Sequence, residues 1–346
     1  MDFSLTDAQQ EIARLAGRLL DDATTDPWKE LARSGLLALS LPVELGGDGL
    51  GVLGAAVLLT EVGRRAVPVP ALATLMTGVL PVVRWGNADL QRVLLPPAAA
   101  GELILTAGIR EPSDPLPRVP STTVSGGTVT GTKVGVPYCA EAGHVLVPVS
   151  FASPDEPGAR TGVVIVDPAA DGAQVTRTRS AAAAPEYTLR LDRAPVEHVL
   201  GPAGCVEDLS GLAMAGACCL ADGALAAALE LTTTHVAERR QFGRPLAAFQ
   251  AVAQQIADVY IASRTLHLTT LSACWLLDTG RDAGVDLGVT GYWCAHEAPR
   301  SVRTCHHLHG GTGMDTSYPL HRFSALISDL VRYLGGAEYQ LERQAC

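Results

Sequence analysis

Two short runs hold the side chains best suited to chemistry. The first, Glu238-Arg239-Arg240-Gln241-Phe242-Gly243-Arg244-Pro245-Leu246-Ala247-Ala248-Phe249-Gln250, sets arginines beside a glycine-bounded aromatic turn. A guanidinium is a planar fork matched to phosphate oxygens, so the chemistry on offer is capture of a diphosphate. Gly243 and Pro245 stop a preceding helix, and Phe249 opens a new apolar run. The plainer alternative for an Arg-Arg pair is a helix end with solvated charges. The second run is His306-His307-Leu308-His309-Gly310-Gly311-Thr312-Gly313-Met314, where glycines after a helix bring backbone N–H groups close to an anion. Three histidines invite a metal reading. A helix spreads positions i, i+1 and i+3 over a wide arc, and no carboxylate or cysteine completes a tetrahedral set, so no metal is expected.

These runs need elements to place them. From Thr6 to about Leu103 the apolar spacing is helical, opening with the capping box Thr6-Asp7-Ala8-Gln9 and continuing through Ile12, Leu15, Ala16 and Leu19. A short helix around Trp28–Ser34 should end at Gly35, and 52–66 and 70–82 read as buried helices. The glycines of the loop Leu41–Gly51 resemble a nucleotide fingerprint only superficially, because no strand precedes them. Between Ile104 and about Leu200 the period becomes that of strands: 103–107, 128–131, 144–149 and 162–166, separated by Pro/Gly/Asp-rich turns. No helix intervenes, which predicts an antiparallel, barrel-like sheet. Helical patterns return over 209–235, 249–278, 287–309 and 319–333. The fold class is therefore α+β, mostly α. Its expected domains are an N-terminal helical domain (1–103), a central antiparallel β-barrel domain (104–202) and a C-terminal four-helix bundle (203–346).

Composition narrows the function classes. The 346 residues are 47% hydrophobic, enough for a sizeable core. A net charge of −10 argues against nucleic-acid and membrane-surface partners. The start lacks a signal-peptide pattern, and no stretch of about 18 uncharged apolar residues runs free of Gly or Pro, which reads as a cytoplasmic protein. Eight cysteines without Cys-x-x-Cys spacing read as free buried thiols.

The first run resembles the Arg-x-Gln-Phe-Gly signature of the acyl-CoA dehydrogenase family, and the second its Gln-x-x-Gly-Gly-x-Gly motif, with His307 where the family usually has Gln. Tyr318-Pro319-Leu320-His321-Arg322 is similar to the family's Tyr-Pro-x-x-Arg link. Asp2–Thr6, Trp28–Leu36, Pro42–Gly51 and Gly131-Thr132-Lys133 match in family order. The resemblance implies FAD as cofactor, an acyl-CoA thioester as substrate and electron-transfer flavoprotein as acceptor. It also implies that Arg239, Gln241, Phe242, His307, Gly310 and Gly311 contact FAD. The family chemistry removes an α-proton with a glutamate while a hydride leaves the β-carbon. One family base position falls on Gly336, and the other, 26 residues before Arg239, on Ala213; the nearest carboxylate is Glu338.

Other family groups are altered too. The Thr-Glu-Pro-x-x-Gly-Ser-Asp loop is shortened to Arg110-Glu111-Pro112-Ser113-Asp114, Gly135 replaces the aromatic that stacks on flavin, and Pro137 replaces a hydroxyl. The N-terminal helical domain is cut short between Leu20 and Trp28. In the family the retained motifs serve the neighbouring subunit's FAD, whereas the altered groups serve the chain's own. The chain thus resembles the smaller, base-lacking subunit of actinobacterial heterotetrameric steroid-CoA dehydrogenases, paired with a second acyl-CoA dehydrogenase-like subunit. Two alternatives stand beside it: a homo-oligomeric enzyme with Glu338 as base, and a non-redox scaffold on the same fold. A flavin monooxygenase on this fold has no separate signal.

Overall fold

A computed structural model describes residues 5–22, 26–151, 160–201 and 204–345. The N-terminal helices are α1 (Asp7–Asp21), α2 (Pro27–Arg33), α3 (Gly51–Arg65), α4 (Leu72–Trp85) and α5 (Ala88–Ala99). The capping box forms as its sequence requires: the Thr6 hydroxyl accepts from Gln9 N, and the Gln9 side chain accepts from Thr6 N at 3.0 Å. Helix α4 winds as a π-helix over Leu72–Val79. Helix α5 carries Pro96 and Pro97 inside it, and a double proline normally reads as a helix end. Asp2–Ser4 of the family match, part of the shortened 20–28 segment and Cys346 lie outside the described residues.

Eight strands follow: β1 (Leu105–Ala107), β2 (Thr123–Ser125), β3 (Thr128–Pro137), β4 (His144–Phe151), β5 (Arg160–Val166), β6 (Ala173–Thr178), β7 (Glu186–Pro195) and β8 (His198–Leu200). Their order is β6-β7-β3-β2-β4-β5-β8, with β1 on β4. The expected antiparallel barrel is therefore corrected. The hydrogen-bonded path ends at β6 and β8 without closing, and β1 and β2 both run parallel to β4. The parallel pairs arise because the chain leaves β1 through the long 108–122 loop instead of a hairpin. Alternation places Val145, Val147, Val149, Val164 and Val166 in a core of the sheet's own, while Leu146, Val163 and Ile165 face the helices.

The C-terminal part comprises α6 (Cys205–Glu238), a hairpin of β9 (Arg240–Gln241) and β10 (Arg244–Pro245), then α7 (Gln250–Asp278), α8 (Gly284–His309), α9 (Leu320–Tyr333) and α10 (Gly336–Ala345). A fifth helix thus joins the expected four. Helix α6 is long and apolar enough by composition to cross a membrane, but most of its apolar stretch is buried inside the fold. Glycine lets α3 approach it closely: a Cβ on Gly223 would lie 2.0 Å from Thr60 O, and one on Gly63 2.1 Å from Leu220 O. Asp278 at the end of α7 accepts from Val52 N at 2.6 Å, so the two helical regions are tied through a helix N-terminus. The cysteines at 139, 205, 218, 219, 274, 294 and 305 are free and buried, as expected.

Candidate functional site

Helix α6 stops at Glu238 because Arg239 leaves helical geometry (φ −68°, ψ 120°) and its carbonyl accepts from Leu246 N at 2.8 Å. The chain turns at Phe242 (φ 52°) and Gly243 (φ 77°), two left-handed residues of the kind that suit a two-residue hairpin. Gln241 pairs with Arg244, and Arg240 donates to Gly243 O at 3.1 Å. Arg244 lies over the Phe249 ring, 4.0 Å from its centroid, and Phe249 meets Phe242 edge-on. These contacts stiffen the hairpin while Phe242 stays 91% exposed. The Arg239 and Gln241 side chains are exposed, and among the described residues neither has a hydrogen-bond or ion-pair partner in this chain.

Helix α8 delivers the second run. Gly310 adopts φ 57°, ψ −136°, a conformation for glycine alone. No atom lies within 4 Å of where a Cβ would sit on Gly310 or Gly311, so this backbone is open to an incoming group. His307 is exposed. His306 and His309 turn inward instead: His306 Nδ1 donates to Gly313 O at 3.0 Å, and His309 Nδ1 donates to Cys305 O at 2.8 Å. His309 Nε2 then accepts from the Tyr318 hydroxyl at 3.0 Å. Among the described residues no group of three or more His, Cys, Asp or Glu could hold a metal ion.

The two runs meet through a pair the sequence did not single out. His235, one turn before Arg239 on α6, stacks on His309 with centroids 4.4 Å apart. Burial lowers the basicity of both rings, and for His235 the Arg239 charge adds to it. Neutral rings stack without repulsion, so Arg239 and Gly310-Gly311 are held on one surface. The i, i+4 spacing of His235 and Arg239 could have flagged it. An exposed arginine, an exposed amide side chain and an open glycine backbone on one surface fit a diphosphate.

The Gly135 region is different. A Cβ on Gly135 would lie 2.8 Å from Arg110 Nη1 and 3.6 Å from Arg332 Nη1, so guanidinium groups occupy the side on which an aromatic would project. Arg332 donates to both oxygens of Glu186, at 2.7 and 2.8 Å, and to Asp329 at 3.0 Å. Burial, then the Arg332 charge, lowers the Arg110 pKa. Asp329 also accepts from Ala181 N and Ala182 N, pinning the 179–185 turn to α9. Behind Arg110, Glu111 accepts from Ser121 N and Oγ, Thr122 N and Oγ1, and Lys133 Nζ, all within 2.9 Å. Burial pushes the Glu111 carboxyl up, but the Lys133 charge and these donors hold it at about 2; burial brings Lys133 down to about 8. Gly135 has no ring to stack on a flavin, and the Arg110 and Arg332 guanidinium groups stand on the side where the family's aromatic would project.

The positions expected for a base carry none. Ala213 is fully buried in α6; Gly336 opens α10 at φ 86°. Glu338 is exposed on the first turn of α10, away from the cavity of about 600 Å3 that lies between α3, the end of β3 and α9. Tyr339 instead donates to Asp114 at 2.6 Å and accepts from Leu116 N, closing the shortened loop onto the α9–α10 turn.

This arrangement of helices, sheet and helices is that of the acyl-CoA dehydrogenase family, to which the chain belongs. The family's N-terminal domain matches residues 7–102 and its C-terminal domain residues 212–343. The chain is 43% identical to the acyl-CoA dehydrogenase FadE28 of Mycobacterium tuberculosis over 99% of its own length and 97% of the relative's. It is also similar to the ChsE4-ChsE5 complex from the same organism, with 30% identity, TM-score 0.89 and coverage of 100% of this chain and 98% of that one. The Tcur3481-Tcur3483 steroid ACAD gives 31% identity and TM-score 0.89, covering 98% and 97%.

Proposed function

We propose that this chain is the lending subunit of a heteromeric, FAD-dependent acyl-CoA dehydrogenase. In this reading Arg239 and Gln241 bind the FAD diphosphate of a partner chain, the open amides of Gly310 and Gly311 approach the same anion, and His307 and Phe242 border it. The partner supplies the glutamate that takes the α-proton of the acyl-CoA thioester. The bound FAD would accept the hydride from the β-carbon. One contrast carries the reading: Arg239 and Gln241 are exposed and, among the described residues, unpartnered beside the open Gly310-Gly311 backbone, whereas at position 135 a glycine replaces the flavin-stacking aromatic and arginine side chains stand on its side. The relatives include a two-component complex and a steroid ACAD, which supports a second acyl-CoA dehydrogenase-like subunit and a lipid or steroid thioester as substrate. Electron-transfer flavoprotein as acceptor, a cytoplasmic location and the domain limits 1–103, 104–202 and 203–346 belong to the same proposal.

Flavin content per chain tests it. Expressed alone, the protein should carry no FAD; co-expressed with an acyl-CoA dehydrogenase-like chain encoded beside it, the complex should hold one FAD per two chains. One FAD per chain in the lone protein refutes the reading. The exposed position of Glu338, outside the cavity wall, speaks against its use as base in a homo-oligomer.

A further inference from the structure

The stack behind the lending surface holds a titratable ring that the flavin contacts do not use. His235 sits half-buried on α6, one turn before Arg239, with its ring 4.4 Å from that of His309 and 23° off parallel. Among the described residues neither of its ring nitrogens has a hydrogen-bond or ion-pair partner. Both nitrogens of His309 are engaged: Nδ1 donates to Cys305 O at 2.8 Å, and Nε2 accepts from the Tyr318 hydroxyl at 3.0 Å. A second proton on His309 would force the Tyr318 contact to reverse, whereas His235 has no such contact to rearrange. Of the two rings, His235 is therefore the readier to take up a proton, and an imidazolium lying on a neutral aromatic ring is favourable.

The groups around His235 decide when it does so. On its own helix Arg239 repels a proton and Glu238 attracts one. From α8 come His309 and, beside it, His306, and from the link to α9 comes Tyr318. Burial, then the Arg239 charge, keeps the ring less basic than an ordinary histidine, so it is neutral at pH 7 while the surface is empty. A diphosphate on Arg239 reverses the second of these effects. Its negative charge offsets that of the guanidinium and adds an attraction of its own across one helical turn, about 6 Å.

We infer that capture of the FAD diphosphate by this surface takes up a proton from solvent onto His235, so that an imidazolium joins Arg239 as a second positive charge behind the anion. This rests on the lending reading, since without a diphosphate at Arg239 nothing drives the uptake. The ring is more basic in the bound state than in the free one. By linkage, the added affinity is fully present below the free-state pKa and is lost as pH rises through the bound-state pKa. FAD should therefore be held more tightly at pH 6 than at pH 8.

The test uses the complex of this chain with its acyl-CoA dehydrogenase-like partner, stripped of flavin, in a His307→Gln background that removes the exposed ring on the last turn of α8. Flavin-fluorescence titrations at pH 6 and pH 8 compare the protein carrying His235 with His235→Phe, which keeps a stacked ring and cannot be protonated. At pH 8 the two should agree within about twofold. At pH 6 the protein with His235 should bind FAD about 3- to 10-fold more tightly, the effect of a rise of about half a unit to one unit in one pKa. Titration calorimetry near pH 6.5, in two buffers of different ionisation enthalpy, should find net proton uptake that His235→Phe loses. The same pH dependence in both proteins overturns the inference, and so, without reference to the variant, does a lack of proton uptake by the protein carrying His235. Arg239→Ala separates the failures. A complex that holds no FAD, or holds it equally well with Arg239→Ala, sinks the lending reading, whereas FAD that depends on Arg239 but shows no His235-dependent pH effect sinks only this one.

Discussion

Glu111→Gln tests how the shortened loop beside Gly135 is held. Lys133 has a fully buried side chain whose hydrogen bond goes to Glu111, at 2.8 Å. The intact pair contributes little net stability. Glu111, held at about 2 against an ordinary 4.5, gives about 3 kcal/mol that is present above pH 4.5 and lost as pH falls from there towards 2. Lys133, brought from 10.5 to about 8, costs about 3 kcal/mol at neutral pH, and that cost disappears as pH rises from 8 to 10.5. Breaking the pair is another matter, because the substitution leaves a buried ammonium without its counter-charge. A loss of about 3–5 kcal/mol is expected at pH 7. The structure also sets a ceiling. The variant can escape by deprotonating Lys133, which costs about 1.4 kcal/mol for each pH unit below 10.5: about 5 kcal/mol at pH 7 and about 2 at pH 9. Thermal melts at pH 6, 7 and 9 should show a Tm deficit of roughly 5–10 °C at pH 7 that shrinks by pH 9. A deficit independent of pH, or none at pH 7, would refute the argument.

Three other outcomes follow from the lending surface. In the assembled complex, Arg239→Ala should weaken FAD about 10- to 100-fold by flavin-fluorescence titration while leaving the Tm of the lone chain unchanged; a large Tm loss would mean that Arg239 is structural. His235→Ala removes the stack on His309 and should weaken FAD several-fold, with His235→Phe restoring most of the affinity. Equal affinities for wild type and His235→Ala would show that the stack positions nothing. Glu338→Gln should leave the turnover of the complex within about twofold, and abolition of turnover would identify Glu338 as the base.

What the sequence determined by itself is what short-range forces decide. The capping box at Thr6 depends on residues three apart. The end of α6 at Arg239 and the turn at Phe242-Gly243 follow from a glycine and a proline within seven residues, and the open backbone at Gly310-Gly311 follows from the absence of side chains there. Helix α5 escaped because Pro96 and Pro97 imitate a helix end, a local signal that tertiary packing overrode through the burial of Leu90, Leu94 and Leu95. The sheet's failure to close was not legible either, since closure depends on which edges β6 and β8 find and not on their alternation. The same holds for the site. The loss of an aromatic at Gly135 could be read directly, but not that Arg110 and Arg332, 222 positions apart, would converge there, nor that Glu186 and Asp329 would neutralise Arg332. Tyr138 is one tyrosine among seven in the chain, and only the fold buries its hydroxyl and, among the described residues, leaves it without a partner. Local hydrogen bonding and backbone sterics act over a few residues and are written in order along the chain. Charge pairing and cavity shape depend on distant segments meeting, and only the folded protein brings them together.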